Sequence, residues 1–296
     1  MTPFGSASLV MIGERISPGY KSVRALIDAS DVAGLVEVAR KQADSAADYL
    51  DVHLGQRGAV DQPFVEQVVR GLQAAGIRTP LCFDFAEQKS LECCLRAYDP
   101  ALAGGARPLI NSVTEPRWEL MALTKVAPCK IILMCSERLE GGSAKSNRTG
   151  AEIAATARRC ATRAVAEYGL QMDDLYIDVS VRALIADTEG MTRNVLEAVR
   201  LIREDRELAG IHIMGAITNI GQQMPPKAAD GSDLKLGLES AFLTIAVPWG
   251  LDALMGTPWR GYQPLPEDSH VMTVFRQFLE QSGTNALRAV RRFYRA

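Results

Sequence analysis

The chain has 296 residues, 47% hydrophobic and 23% charged, so it can bury a large core and is neither disordered nor collagen-like in composition. Its 33 basic and 35 acidic side chains leave a net charge of −2 with no long block of one sign, which excludes electrostatic binding to nucleic acid or a membrane surface. The six cysteines form no Cys-x-x-Cys pair, the start lacks a secretory pattern and no stretch reaches ~18 apolar residues, so a reduced, cytoplasmic protein without a membrane span is expected.

Short apolar runs ending in a polar or small residue alternate with segments of helical period along the chain. In order they predict a strand over 8–12, helix 35–47, strand 49–52, helix 63–75, strand 81–83, helix 88–97, strand 109–110 and helix 117–125. The pattern continues with strand 130–134, helix 151–168, strand 175–177, helix 191–204, strand 212–215, helix 234–246 and strand 254–255. Two more helices, 267–281 and 284–294, end it.

Strands alternating with helices imply parallel strands joined by right-handed crossovers. Eight units at a spacing of roughly 35 residues, with no linker-like break, favour one α/β domain over 1–296: a (β/α)8 TIM barrel with extra C-terminal helices. An open doubly wound sheet is the runner-up, and Gly13-Glu14-Arg15 is not the glycine-rich turn it would want after the first strand.

In such a barrel the chemistry gathers at the carboxyl ends of the strands. That rule collects Glu14 and Arg15 after the first strand, Asp51 and His53 at the second, Asp84 at the third, and Asn111 and Ser112 at the fourth. Cys135 and Glu137 follow at the fifth, Asp178 at the sixth, and Asn219 with Gln222 after the seventh. The collection holds no nucleophile paired with a base and no phosphate cradle, and the three scattered histidines make a poor metal site, so hydrogen bonding is expected to carry the chemistry. Carboxylates accept two parallel N–H bonds and carboxamides offer both donor and acceptor. A ring of Asp84, Asn111, Asp178 and Asn219 therefore suits a flat heterocycle with an amino group beside a ring nitrogen, although each residue type also caps helices and ties loops.

At these residues the sequence resembles the pterin-binding methyltransferases, the folate-and-corrinoid group whose barrel is shared with dihydropteroate synthase. Met11-Ile12-Gly13-Glu14-Arg15-Ile16 is similar to that family's opening strand, and Tyr49-Leu50-Asp51-Val52-His53-Leu54-Gly55 to its second. Leu81-Cys82-Phe83-Asp84, Leu109-Ile110-Asn111-Ser112, Leu175-Tyr176-Ile177-Asp178 and Thr218-Asn219-Ile220-Gly221-Gln222 resemble its next pterin-site segments. The resemblance implies that Asp84, Asn111 and Asp178 bind the pterin ring, with Gln222 beside it and Asn219 near N5 as the catalytic dipole. It further implies tetrahydrofolate or 5-methyltetrahydrofolate as substrate, cobalamin carried by a separate corrinoid protein, and a homodimer. An amide is not a general acid; His53, with an ordinary pKa of about 6.5, is the candidate proton donor.

Several positions depart from the family: Ser17 where Asn is frequent, His53 where the second strand commonly ends in Asn, Glu87 in place of Asn, Cys135 in place of Asn, and Val179 in place of Pro. These changes leave room for a non-catalytic folate-binding or corrinoid-docking subunit. A dihydropteroate synthase is disfavoured because Arg15-Ile16-Ser17-Pro18-Gly19 replaces its Asn-x-Thr-x-Asp-Ser-Phe segment. Of the remaining features, Asp51 is expected to pair with Arg15, Cys82 and Cys135 to pack in the core, and Lys227 and Arg260 to be loop charges. Asp252 is expected at the amino face, and Trp249, Trp259, Met224 and Met255 near the mouth.

Overall fold

A computed structural model describes residues 3–5 and 9–295 of the chain. The first strand, β1 (Val10–Ile16), leads into α1 (Lys21–Asp28) and α2 (Val32–Asp44). Next come β2 (Tyr49–Val52) with α3 (Gly55–Val60) and α4 (Gln62–Ala74), then β3 (Leu81–Asp84) with α5 (Gln88–Ala97), then β4 (Leu109–Val113) with a 3-10 segment, Glu115–Lys125. After β5 (Lys130–Met134) stand a hairpin of β6 (Glu137–Glu140) and β7 (Ser143–Ser146) and the long α6 (Gly150–Tyr168). The last repeats are β8 (Leu175–Asp178) with α7 (Met191–Glu204), β9 (His212–Ala216) with α8 (Leu234–Ala246), and β10 (Ala253–Gly256) with α9 (His270–Leu279) and α10 (Gly283–Arg292).

Among the described residues eight parallel strands close in the order β1, β10, β9, β8, β5, β4, β3, β2, with the helices outside. This is the expected (β/α)8 barrel with extra C-terminal helices. Strand residues alternate between two cores. Ile12, Tyr49, Cys82, Leu109, Ile132, Tyr176, Met214, Ala253 and Met255 fill the barrel, while Leu50, Phe83, Ile110, Ile131, Ile177 and Leu254 belong to the larger core outside it. Tyr49 meets Tyr176 edge to face at 6.3 Å, and Tyr176 stacks on His212 at 4.4 Å, which closes the amino end. Two residues further along each strand the same inward parity delivers Glu14, Asp51, Asp84, Asn111, Met134, Asp178, Ala216 and Thr257 to the open end.

The strand expected over 8–12 starts at Val10, Ser8 lying outside the described residues, and it runs on to Ile16, so Glu14 and Arg15 stand in the strand. The helix expected over 117–125 is a 3-10 segment broken at Arg117, where φ −114° and ψ 40° leave the helical region. Trp249 lies between α8 and β10, at the amino face, away from the mouth. Helices α1 and α3 and the β6–β7 hairpin were absent from the pattern. Among the described residues no helix is long and apolar enough to cross a membrane.

Candidate active site

A cavity of about 690 Å³ opens at the carboxyl ends of the strands. Its wall includes the sequence-predicted residues His53, Asp84, Asn111, Asp178, Asn219 and Gln222, together with Glu14, Arg15 and Asp51. Met134, Met214 and Met255 add polarizable apolar surface beside them, so Met255 is part of the wall of the cavity. Strand pairing sets the spacing: Asp84 is in register with Asn111, and Met134 with Asp178.

Asp178 ends β8. Ser180, whose φ of 62° is left-handed, turns its N–H back onto Asp178 Oδ1 at 2.7 Å and fixes the carboxylate. Burial pushes the Asp178 carboxyl up to about 6, with the Ser180 N–H opposing and the Asp84 charge adding to the rise. Across the barrel His53 Nδ1 is 3.3 Å from Asp84 Oδ2. Its hydrogen bond to Asp84 raises the His53 pKa, burial opposes the rise, and the Asp84 charge reinforces it. The candidate proton donor is therefore already engaged with a candidate pterin ligand.

Asn219 sits in a 3-10 turn, Ile217–Gly221, that follows β9. Its Nδ2 donates to Val181 O at 3.3 Å, and its Oδ1 accepts from Gln222 Nε2 at 2.6 Å. Gln222 thus orients the Asn219 amide.

Asp51 differs from its expected structural role. Arg15 lays its guanidinium carbon 3.5 Å from the centre of the Tyr20 ring instead of pairing with it, and Asp51 Oδ1 is buried with no hydrogen-bond partner among the described residues. Burial, followed by the Asp84 charge, holds the Asp51 carboxyl well above the usual carboxylate range, which favours the neutral, donating form. Arg260 also lines the cavity, drawn between Glu239 Oε2 at 3.3 Å and Asp233 Oδ1 at 3.2 Å, while Lys227 is not on the wall. Glu239, on α8, was invisible to a rule that reads strand ends; burial pushes it up to about 7 against the pull of Arg260. Among the described residues no three His, Cys, Asp or Glu side chains are grouped to hold a metal ion.

The departures sort by position. Ser17 and His53 line the cavity, whereas Glu87, Cys135 and Val179 do not. Cys135 is a buried thiol whose N–H donates to Asp178 O at 3.0 Å and whose carbonyl accepts from Asn147 Nδ2 at 3.0 Å, so it supports β8 from behind. The loop 223–233 is tied down by Ala229 N–H to Phe293 O at 2.9 Å.

A family model described as pterin binding enzyme matches residues 19–255. The chain belongs to the pterin-binding enzymes. A methylcorrinoid:tetrahydrofolate methyltransferase from Eubacterium limosum is 22% identical over 263 residues, covering 84% of this chain and 85% of that protein. Dihydropteroate synthase from Thermus thermophilus superposes with a TM-score of 0.56 at 18% identity, covering 86% of this chain and 91% of its own. The Xanthomonas albilineans dihydropteroate synthase in complex with 7,8-dihydropteroate gives a TM-score of 0.57 at 17% identity over 95% and 96% of the two chains. At these identities the solved structures speak for the shared barrel alone. Within a pterin-binding enzyme, a cavity walled by carboxylates and amides on rigid strand ends has the complementarity a pterin needs: acceptors for its amino group and ring N–H, and donors for its ring nitrogens and carbonyl.

Proposed function

We propose that this pterin-binding enzyme is a methyltransferase that binds a reduced folate with its pterin ring on Asp84, Asn111 and Asp178 and exchanges the N5 methyl group with a corrinoid. The observation that carries the reading is the convergence of those three side chains on one cavity in a chain of this family. The relative named for methylcorrinoid and tetrahydrofolate favours it over pterin condensation. Tetrahydrofolate or 5-methyltetrahydrofolate is then the substrate, and cobalamin arrives on a partner protein at the open end. We further place the enzyme in the cytoplasm as a homodimer, and free thiols at all six cysteines are compatible with that compartment.

In this account the Asp178 carboxylate accepts the paired N–H groups of the pterin, and Asp84, held by His53, and Asn111 take the opposite edge. Asn219 supplies a placed dipole at N5, oriented by Gln222. His53, with Nδ1 3.3 Å from Asp84 Oδ2, positions that carboxylate for the pterin. Transfer from methylcobalamin to tetrahydrofolate, followed by detection of 5-methyltetrahydrofolate, tests the reading. Asn219→Ala is expected to lose more rate than folate affinity, and equal losses would remove the transition-state role. Folate binding without transfer, even with a competent corrinoid protein, would make the chain a binding subunit. Dihydropteroate formed from a pterin pyrophosphate and p-aminobenzoate would make it a synthase.

A further inference from the structure

Methylation at N5 moves a proton as well as a methyl group. When the N5 amine of tetrahydrofolate takes a methyl from a corrinoid, the N5 lone pair forms the new N–C bond. The electrons of the broken cobalt–carbon bond stay on cobalt, and N5 must shed its hydrogen as a proton. In the opposite direction the departing N5 must regain that proton. Asn219 can polarise N5 but can neither keep nor release a proton near neutral pH.

One carboxyl of the cavity is hydrogen-bonded to the turn that carries Asn219. Glu14, in β1, accepts from Thr218 Oγ1 at 3.0 Å through Oε2 and from the Tyr20 hydroxyl at 2.7 Å through Oε1. Thr218 immediately precedes Asn219 in the 3-10 turn. Both carboxylate oxygens are thus held in place by hydroxyls, on one side of a cavity open to solvent. Burial raises the Glu14 pKa, and the Tyr20 and Thr218 hydroxyls and then Arg15 oppose the rise. The charged and titratable groups around it are Arg15 on its own strand, Tyr20 before α1, Asp51 on β2, Glu239 on α8 and Tyr262 after β10. Asp51 answers to the Asp84 charge, and Glu239 faces the Arg260 guanidinium, so neither is joined to the Asn219 turn as Glu14 is.

We propose that Glu14 is the proton-holding residue of the transfer, taking the N5 proton through the Thr218 hydroxyl when N5 is methylated and returning it by the same route in reverse. This rests on the folate reading above. In the forward step Thr218 passes its own hydroxyl proton to the Glu14 carboxylate as it accepts the one leaving N5, so the hydroxyl is regenerated. Glu14 then releases its proton to solvent through the cavity mouth. The electron pair stays with the corrinoid, and no further oxidant or reductant takes part. Tyr20 keeps the carboxylate turned toward Thr218.

The test is single-turnover transfer from methylcobalamin to tetrahydrofolate from about pH 5 to about pH 9, with tetrahydrofolate affinity measured by calorimetry beside it. Glu14→Gln is expected to keep its folate affinity within about twofold, lose about 10²-fold in rate and lose the ionisation limb of the wild-type pH profile. Thr218→Val, which keeps the carboxyl and cuts the relay, is expected to slow transfer with the same preserved affinity. His53→Gln is expected to retain the limb. A Glu14→Gln enzyme with wild-type rate and limb, or loss of the limb in His53→Gln instead, overturns the assignment. Wild-type protein that binds folate and transfers methyl while Glu14→Gln is unaffected removes this inference alone. Wild-type protein that neither binds folate nor transfers methyl removes the folate reading and this inference with it.

Discussion

Asp178, the proposed pterin ligand on β8, sits in the cavity wall at a cost in stability. Its carboxyl rises from 3.8 to about 6 because burial disfavours the charge. With the folded-state pKa raised, the group is neutral and harmless below about pH 4, and folding becomes less favourable as pH rises through about 6. Asp178→Asn removes that penalty, so at about pH 8 the variant should be more stable by roughly 2 to 3 kcal/mol, with the gain fading near pH 4. Thermal melts at the two pH values check this. The ionised form is the one that accepts two N–H bonds, so wild-type pterin affinity should weaken as pH falls through about 6. His53 shifts stability with pH in the same direction, with the charge now on the protonated form: its raised pKa lets the pair with Asp84 stabilise the fold below the ordinary pKa and fade as pH climbs through the higher folded value. An NMR titration should place His53 above about 6.5, and Asp84→Asn should bring it down. Asp84, Asn111 and Asp178 were legible because each stands two residues beyond an inward apolar neighbour at a strand end. Asp51 departs from the expected Arg15 pair because nothing in the sequence tells a buried ion-pair partner from a carboxyl in the cavity wall with one oxygen unpartnered.

At the scale of elements, the barrel was legible because alternation of apolar runs with 3.6-period segments survives in a single sequence. The hairpin was not. Glu137–Glu140 and Ser143–Ser146 carry one apolar residue of size, Leu139, so Gly141 and Gly142, both with positive φ, turn a ribbon that no hydrophobic alternation announces. It is held instead by charge, with Glu115 accepting the Leu139 N–H at 2.8 Å. Strand β1 was read too short because its pairing with β2 shifts register between Gly13 and Ile16. At that irregularity the Arg15 N–H finds Gln42 Oε1 of α2 at 2.8 Å, and a Cβ on Gly13 would lie 2.6 Å from the same oxygen. Gly13→Ala should therefore lower stability by roughly 1 to 3 kcal/mol and disturb Glu14, seen as a lower Tm together with slower methyl transfer.

Across the whole molecule, the C-terminal helices connect stability to the mouth of the barrel. Phe293 is fully buried against Phe278, with ring centres 6.4 Å apart, and its carbonyl pins Ala229 in the loop that borders the cavity. Phe293→Ala should cost about 3 to 5 kcal/mol and lower Tm by roughly 10 °C, with faster amide exchange in 223–233. The charge tie at the far face, where Asp252 meets Arg203 and His212 at 3.2 Å each, belongs to stability and should tolerate substitution without loss of folate affinity.

We place a reduced pterin on the carboxyl ends of the strands. Calorimetric titration of the purified protein with tetrahydrofolate and 5-methyltetrahydrofolate under anaerobic conditions, beside Asp178→Ala, reads that placement out. Micromolar binding that the substitution abolishes is the predicted result. Absence of binding to folded wild-type protein, or equal binding by Asp178→Ala, would contradict it.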